Sequence, residues 1–253
     1  MYVTTTGLVL RETDYRESSR ILTVLTASEG KITVSAKGAR RKGSKTAAAT
    51  QLLALSEMTL VNNRGRWTLS EARCIEEFAG LRDDIALLAL GAYIAEVTEA
   101  VANEGEPGGE LMSLALNALF AVGEQKRPPE LIRAAFEMRV AAMSGFVPDL
   151  SACPVCGRED PVDPVLDVTG GTVHCAKCSH GDIYMQKPLC RDSLEAMRHI
   201  LSAPPKRVFA FRLEGSAMSR LSRAAEEYLR THLETEFRGL SYYKSVRNID
   251  DIR

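Results

Sequence analysis

Residues 30–45 read GKITVSAKGARRKGSK, a short alternating segment followed by a loop of closely spaced cations. Ile32, Val34 and Ala36 alternate with polar side chains, and this period of two predicts a strand with one buried face. Four cations then fall within residues 40–45, next to glycines that let the backbone turn. Because such closely spaced like charges repel one another, the loop indicates a polyanionic partner; a solvated surface loop is the alternative interpretation.

Strand-like segments surround this one on both sides. They cover residues 4–11, 20–27, 56–62 and 66–72, with turns at residues 27–30 and 63–65. None is followed by a crossover helix, which favours antiparallel pairing. Five short strands in about 75 residues suit an oligonucleotide-binding (OB) barrel, so we predict an OB-fold domain over residues 1–80. Trp67, the single tryptophan, is interpreted as a core residue rather than a stacking platform for bases.

From Leu81 onward the apolar period becomes helical. Helices are expected over residues 81–101, 111–122 and 130–144, then from Asp192, where Glu195 completes a capping box, and from Ser216 to Gly239. We therefore predict an all-helical domain in two parts, residues 81–149 and residues 190–253. The fold class is α+β, with a barrel followed by this helical domain.

Residues 150–189 form an insertion that contains four cysteines in the pattern C-x2-C-x18-C-x2-C. This spacing is typical of a tetrahedral zinc site, and four thiolates would fill the shell of one structural ion. The predicted ligands are Cys153, Cys156, Cys175 and Cys178. His174 and His180 flank the second pair and are interpreted as bystanders. Cys74 and Cys190 have no partner at metal-binding spacing.

No enzyme motif is complete in the chain. Gly38-x4-Gly43-Ser44-Lys45 approaches a phosphate-binding P-loop, but the lysine and the hydroxyl residue are exchanged. We therefore predict a protein that is not an enzyme. Two alternatives stay open: a nucleotide-hydrolysing protein that uses the altered loop, and a protein-only scaffold that binds through its acidic helical middle.

Charge is distributed unevenly along the chain, although the net charge is only −1. Residues 31–66 contain eight cations and a single anion, Glu57, whereas residues 81–150 are acidic. No apolar run has the length of a membrane span, and the first residues lack the pattern of a signal peptide. A cytoplasmic location with reduced or metal-bound cysteines is therefore expected.

Several motifs together resemble the bacterial recombination mediator family RecO. They are Gly7-Leu8-Val9-Leu10, the run from Tyr15 to Leu22, Leu25-Thr26-x3-Gly30-Lys31, and Ala36-Lys37-Gly38-Ala39-Arg40-Arg41, followed by the helical region and the four cysteines. Lys42-Gly43-Ser44 stands where the family usually has a proline. The resemblance implies an OB barrel, a helical domain with a zinc-binding insertion, and a non-catalytic role in DNA repair and recombination.

What that role contains is likewise implied by the resemblance. It includes binding single- and double-stranded DNA, annealing complementary strands, and helping to load the recombinase onto strands coated with single-strand-binding protein. The implied partners are RecR and the acidic C-terminal tail of the single-strand-binding protein, with no membrane, in the cytoplasm at the bacterial nucleoid. The candidate DNA-binding residues are the cations of the basic stretch and of the later turn. They are Lys37, Arg40, Arg41, Lys42, Lys45, Arg64 and Arg66. If the basic loop does not bind DNA, the next candidates are the arginines of the C-terminal helix, Arg220, Arg223 and Arg230.

Overall fold

The computed structural model describes the backbone of residues 2–250 and the side chains of residues 2–247. The chain forms two compact units. The first is built from the residues up to Gly123 together with those from Phe237 onward, and the second from Glu124–Glu236. The division into segments 1–80, 81–149, 150–189 and 190–253 stays a prediction.

The first unit contains a closed five-stranded barrel. Its strands are β1 (Tyr2–Tyr15), β2 (Ser19–Thr26), β3 (Gly30–Ala36), β4 (Leu55–Asn63) and β5 (Arg66–Glu76), in the order β1-β2-β3-β5-β4. The predicted fold class is confirmed: the barrel comes first, a helical region follows, and the four cysteines cluster.

The expectation of purely antiparallel pairing was wrong at one seam. β3 and β5 run parallel through the pairs Val34↔Trp67 and Ser35↔Thr68. The reason is that closing the barrel brings the beginning of β5 beside β3, while β5 remains paired with β4 from Arg66 to Glu76. The alternation read from β3 is observed, because Ile32, Val34 and Ala36 are buried in the barrel core. Trp67 is half-buried and packs against that core.

The helices of both units follow in chain order. They are α1 (Ala79–Arg82), α2 (Ile85–Val101), α3 (Gly109–Gly123), α4 (Pro129–Met143), α5 (Arg191–Ser202), α6 (Gly215–Leu233) and α7 (Arg238–Asp250). The helix predicted from Leu81 is divided in two, because Asp84 caps α2 by accepting hydrogen bonds from the N–H groups of Ala86 and Leu87 at 2.6 and 3.2 Å. In the first unit α2 packs against α3 and α7.

The second unit places α4 against α5 and α6 and carries a small antiparallel sheet. Its strands are β6 (Pro164–Asp167), β7 (Thr172–Cys175) and β8 (Gln186–Pro188), in the order β7-β6-β8. Almost every residue of α4 from Leu131 to Ala141 is buried, so α4 is the central helix of this unit.

Two helix ends differ from the sequence prediction. The capping box of α5 is formed by Cys190 and Ser193, not by Asp192 and Glu195, because the N-cap lies two residues earlier than predicted. The last predicted helix ends at Leu233, where Glu234 adopts a left-handed backbone with φ 49°. Gly239 lies inside α7, and residues 251–253 of the predicted tail lie outside the described residues.

Candidate nucleic-acid interface and metal centre

The basic loop after β3 is attached firmly to the barrel. Ala39 is only 1% exposed and belongs to the barrel core. The N–H of Arg40 donates to the carbonyl oxygen of Ser18 at 3.0 Å, which ties the loop to the β1–β2 turn. Successive turn hydrogen bonds join Arg41 to Gly38 and Ser44 to Arg41, both at 3.0 Å. The cations are therefore presented by a backbone with defined geometry.

Most of these cations are available to an external anion. The side chain of Arg40 pairs with Asp14 at 3.2 Å. All seven candidate residues are exposed, and within the part of the chain that the structure describes the other six form no ion pair. Those six are Lys37, Arg41, Lys42, Lys45, Arg64 and Arg66. Such a surface would neutralise phosphates without first breaking internal salt bridges.

The structure divides the candidates into two groups: five follow the end of β3, and two lie at the β4–β5 turn, beside the middle of β3. Arg64 and Arg66 lie at the β4–β5 turn, and Trp67, the residue after Arg66, is opposite Val34. Position 66 therefore lies beside position 33, about 13 Å along the strand from Lys37 at roughly 3.3 Å per residue. The face of an OB barrel that runs along strands 2 and 3 to the loop between strands 4 and 5 connects these two groups.

The altered P-loop lacks the structure that its chemistry needs. A phosphate-binding P-loop leads into a helix whose N-terminal N–H groups face the phosphates. Here Lys45 is followed by a three-residue 3₁₀ turn, Ala48–Thr50, and then by β4. The hydroxyl of Ser44 contacts that of Thr46 at 3.2 Å.

The alternative face on α6 offers fewer available cations. Arg220 donates to the carbonyl oxygen of Leu189, and Arg230 pairs with Glu227. Arg223 is exposed. The acidic neighbours and the internal bonds make this helix a weaker anion site than the basic loop.

The four predicted metal ligands converge in the second unit. The Sγ atoms of Cys153, Cys156, Cys175 and Cys178 all lie within 4.8 Å of one another and could hold a metal ion. The Sγ atoms of Cys156 and Cys175 are 3.8 Å apart. Thiolates about 2.3 Å from a tetrahedral zinc ion are separated by about 3.8 Å, so the donor set and its spacing fit zinc. Neither His174 nor His180 belongs to this cluster.

The local backbone explains how the first cysteine pair is presented. The N–H of Gly157 donates to the carbonyl oxygen of Cys153 at 2.8 Å, and Gly157 has φ +70°. Backbone N–H groups, above all that of Cys175, lower the pKa of Cys153 to about 6. Burial and the neighbouring cysteines raise the pKa of Cys178 to about 12. A dication would offset the repulsion among four thiolates held this closely.

Two residues that support the basic loop were missed by the sequence reasoning. Asp14 pairs with Arg40, and Ser18 accepts the hydrogen bond that fixes the loop. Both belong to the first hairpin, at a distance along the chain that no local pattern links to residues 38–45. Their contribution follows from the pairing of β1 with β2.

Comparison with known families covers nearly the whole chain. The family model "Recombination protein O N terminal" matches residues 1–78, and "Recombination protein O C terminal" matches residues 82–241. The chain belongs to the RecO family. The boundary between the two RecO matches falls between the last barrel strand and α2.

Curated RecO relatives match over similar lengths. The DNA repair protein RecO of Symbiobacterium thermophilum is 31% identical over 250 residues, which is 96% of each chain. The DNA repair protein RecO of Acetivibrio thermocellus is 29% identical over 248 residues, which is 98% of each chain. Among the described residues of this RecO chain, no helix is both long and apolar enough to cross a membrane.

Proposed function

We propose that this chain is a non-enzymatic recombination mediator that binds single- and double-stranded DNA and anneals complementary strands. The observation that carries the proposal is the ordered basic loop: exposed cations, mostly without internal partners, on a backbone anchored to an OB barrel. Membership of the RecO family, and the name "DNA repair protein" carried by its relatives, support the same role. The protein would act in the cytoplasm, at the bacterial nucleoid.

Two groups of residues would share the binding of DNA. Lys37, Arg40, Arg41, Lys42 and Lys45 would contact phosphates beyond the end of β3, and Arg64 and Arg66 would contact them at the β4–β5 turn. Phosphate contacts position a strand but carry no sequence information, which suits a protein that must pair any two complementary strands. Because these contacts are largely electrostatic, binding should weaken as salt is added.

One zinc ion, held by Cys153, Cys156, Cys175 and Cys178, would stabilise the insertion of the second unit. Four thiolates leave no open position for a substrate, so the ion would have a structural role. We also propose that the protein helps to load the recombinase onto strands coated with single-strand-binding protein, with RecR and the acidic tail of that protein as partners. These partners rest on the family resemblance.

Salt-dependent DNA titrations of the triple variant Arg40→Ala/Arg41→Ala/Lys42→Ala test the proposal. Each cation that neutralises a phosphate on a single strand adds about 0.7 to the slope of log affinity against log salt, so the slope should fall by about 2. Affinity should fall alike for all sequences. Zinc content and melting temperature should not change, since exposed loop substitutions cost little stability.

A charge-matched control is available in the second unit. Arg158, Lys206 and Arg207 are exposed, and their triple alanine variant loses the same charge. Its salt slope should equal that of the wild type. If the loop variant also keeps wild-type affinity and slope, the loop is a solvated surface loop and the proposed DNA-binding face is wrong.

A further inference from the structure

A cavity of about 240 Å³ opens on the barrel surface beside Trp67. The first pair of the parallel seam between β3 and β5 is Val34 with Trp67, and the cavity lies at this end of the seam. Glu29, Thr33 and Glu104 are among the other residues that line it. The basic loop does not line it. Gly65, at the β4–β5 turn between Arg64 and Arg66, does line it. The cavity is therefore separate from the basic loop and lies next to the β4–β5 turn.

The acidic wall of this cavity is fixed by backbone contacts. The N–H of Lys31 donates to the carbonyl oxygen of Asn103 at 2.9 Å. The N–H of Gly105 donates to the carbonyl oxygen of Glu29 at 3.2 Å. Gly30 has φ +67°, and a Cβ atom there would lie 2.3 Å from the carbonyl oxygen of Glu106. The loop that carries Glu104 is thus seated directly against the β2–β3 turn.

The charges around the cavity are not balanced internally. Within the part of the chain that the structure describes, the carboxylates of Glu29 and Glu104 have neither an ion pair nor a side-chain hydrogen bond. Lys31, the cation among the residues that line the cavity, directs its ammonium group to the carbonyl oxygen of Glu99 at 2.8 Å instead. Arg64 and Arg66 do not line the cavity.

We infer that this cavity binds a cationic side chain, an arginine, from a protein partner. The indole of Trp67 provides the aromatic surface that attracts a guanidinium most strongly, and two carboxylates provide charge-assisted acceptors. A nucleotide fits less well, because its phosphates would approach the same two carboxylates. The barrel would then use its basic loop for DNA and this cavity for a protein.

Trp67 makes the inference directly measurable, because it is the only tryptophan in the chain. A blocked tripeptide with a central arginine is titrated into the full-length protein at constant ionic strength, and the emission of Trp67 is followed. The matched control peptide carries citrulline, which has nearly the same shape as arginine but no charge. We expect a saturable change with arginine and at least about tenfold weaker binding of the citrulline peptide, the effect of losing one charge-assisted hydrogen bond.

Protein variants test whether the peptide binds at this cavity. The variant Glu29→Gln/Glu104→Gln should bind the arginine peptide at least about tenfold more weakly than the wild type. The control variant Glu71→Gln/Glu77→Gln loses two exposed carboxylates elsewhere and should bind the peptide with wild-type affinity. DNA affinity of the first variant should not fall, because the change removes negative charge near Arg64 and Arg66, so loss of peptide binding can be told apart from loss of DNA binding. The inference is overturned if the arginine and citrulline peptides act alike or not at all, or if a single-stranded oligonucleotide shifts Trp67 and displaces the arginine peptide.

Discussion

Arg133 and Glu137 bring charge into the packed centre of the second unit. Their side chains are 4% and 0% exposed and pair at 2.7 Å, one helical turn apart on α4. Arg133 also contacts Glu226 at 3.1 Å and the hydroxyl of Ser222, which ties α4 to α6. Since a buried charge is tolerated only when it is paired, these side chains fix how the two helices meet.

Replacing Arg133 by methionine should destabilise the second unit by about 3–5 kcal/mol, because Glu137 would lose the guanidinium that pairs with it in a buried place. The control is Arg73→Met, which breaks the pair with Glu57 on the barrel surface, where the two side chains are 74% and 50% exposed. That change should cost less than about 1 kcal/mol. Chemical denaturation of both variants gives the comparison, and equal costs would contradict this interpretation of the buried pair.

Lys45→Ala tests the altered P-loop at a single residue. We expect no ATP turnover in the wild type, and strand annealing that does not depend on ATP in either protein, because no helix follows this loop to hold a phosphate. Phosphate release and annealing are measured side by side. Turnover in the wild type that disappears in Lys45→Ala would favour the nucleotide-hydrolysing alternative.

At the scale of elements, two long-range contacts fix how the helices of the first unit pack: a close backbone approach between α1 and α3, and hydrogen bonds between α2 and α7. A Cβ atom on Gly80 in α1 would lie 2.6 Å from the carbonyl oxygen of Gly123 at the end of α3. The side chain of Glu96 on α2 accepts hydrogen bonds from the N–H groups of Arg238 and Gly239 at 3.1 and 2.7 Å. The contact that begins α7 therefore comes from α2, more than a hundred residues earlier in the chain.

Gly80→Ala should cost about 1–3 kcal/mol in the free energy of unfolding, since the added methyl group meets backbone that cannot move without separating α1 from α3. Gly109, at the start of α3, has open space around the same position. Gly109→Ala should therefore change stability by no more than about 0.5 kcal/mol. Thermal melting compares the stability of the two variants with that of the wild type. A Gly80→Ala protein with wild-type stability would show that the contact between Gly80 and Gly123 is not tight.

At the scale of the whole molecule, the two compact units should respond differently to loss of metal. The four cysteines belong to the second unit, and Trp67 belongs to the first. Each unit has its own packed core, so a change in one can be followed by a probe that the other does not contain.

Purified protein should carry about one zinc per chain, and Cys175→Ser or a strong chelator should remove it and destabilise the insertion, because metal binding and folding are coupled in a thiolate site. The emission of Trp67 should stay unchanged during this loss, since all four predicted ligands lie in the second unit and Trp67 lies in the first. Elemental analysis, circular dichroism and tryptophan fluorescence test this. Absence of zinc, or full stability of Cys175→Ser, would refute the metal assignment.

Local patterns in the sequence determined the elements and the chemistry they carry. Alternating apolar residues predicted the barrel strands, and the C-x2-C spacing predicted the cysteine cluster. The density of cations indicated the basic loop. Each of these patterns depends on residues that are a few positions apart. Long-range contacts alone decided the rest. The parallel seam at Trp67, the separation of Arg66 from Lys37, and the placement of α7 on α2 arise from segments far apart in sequence, whose pairing is selected by barrel closure and shared burial.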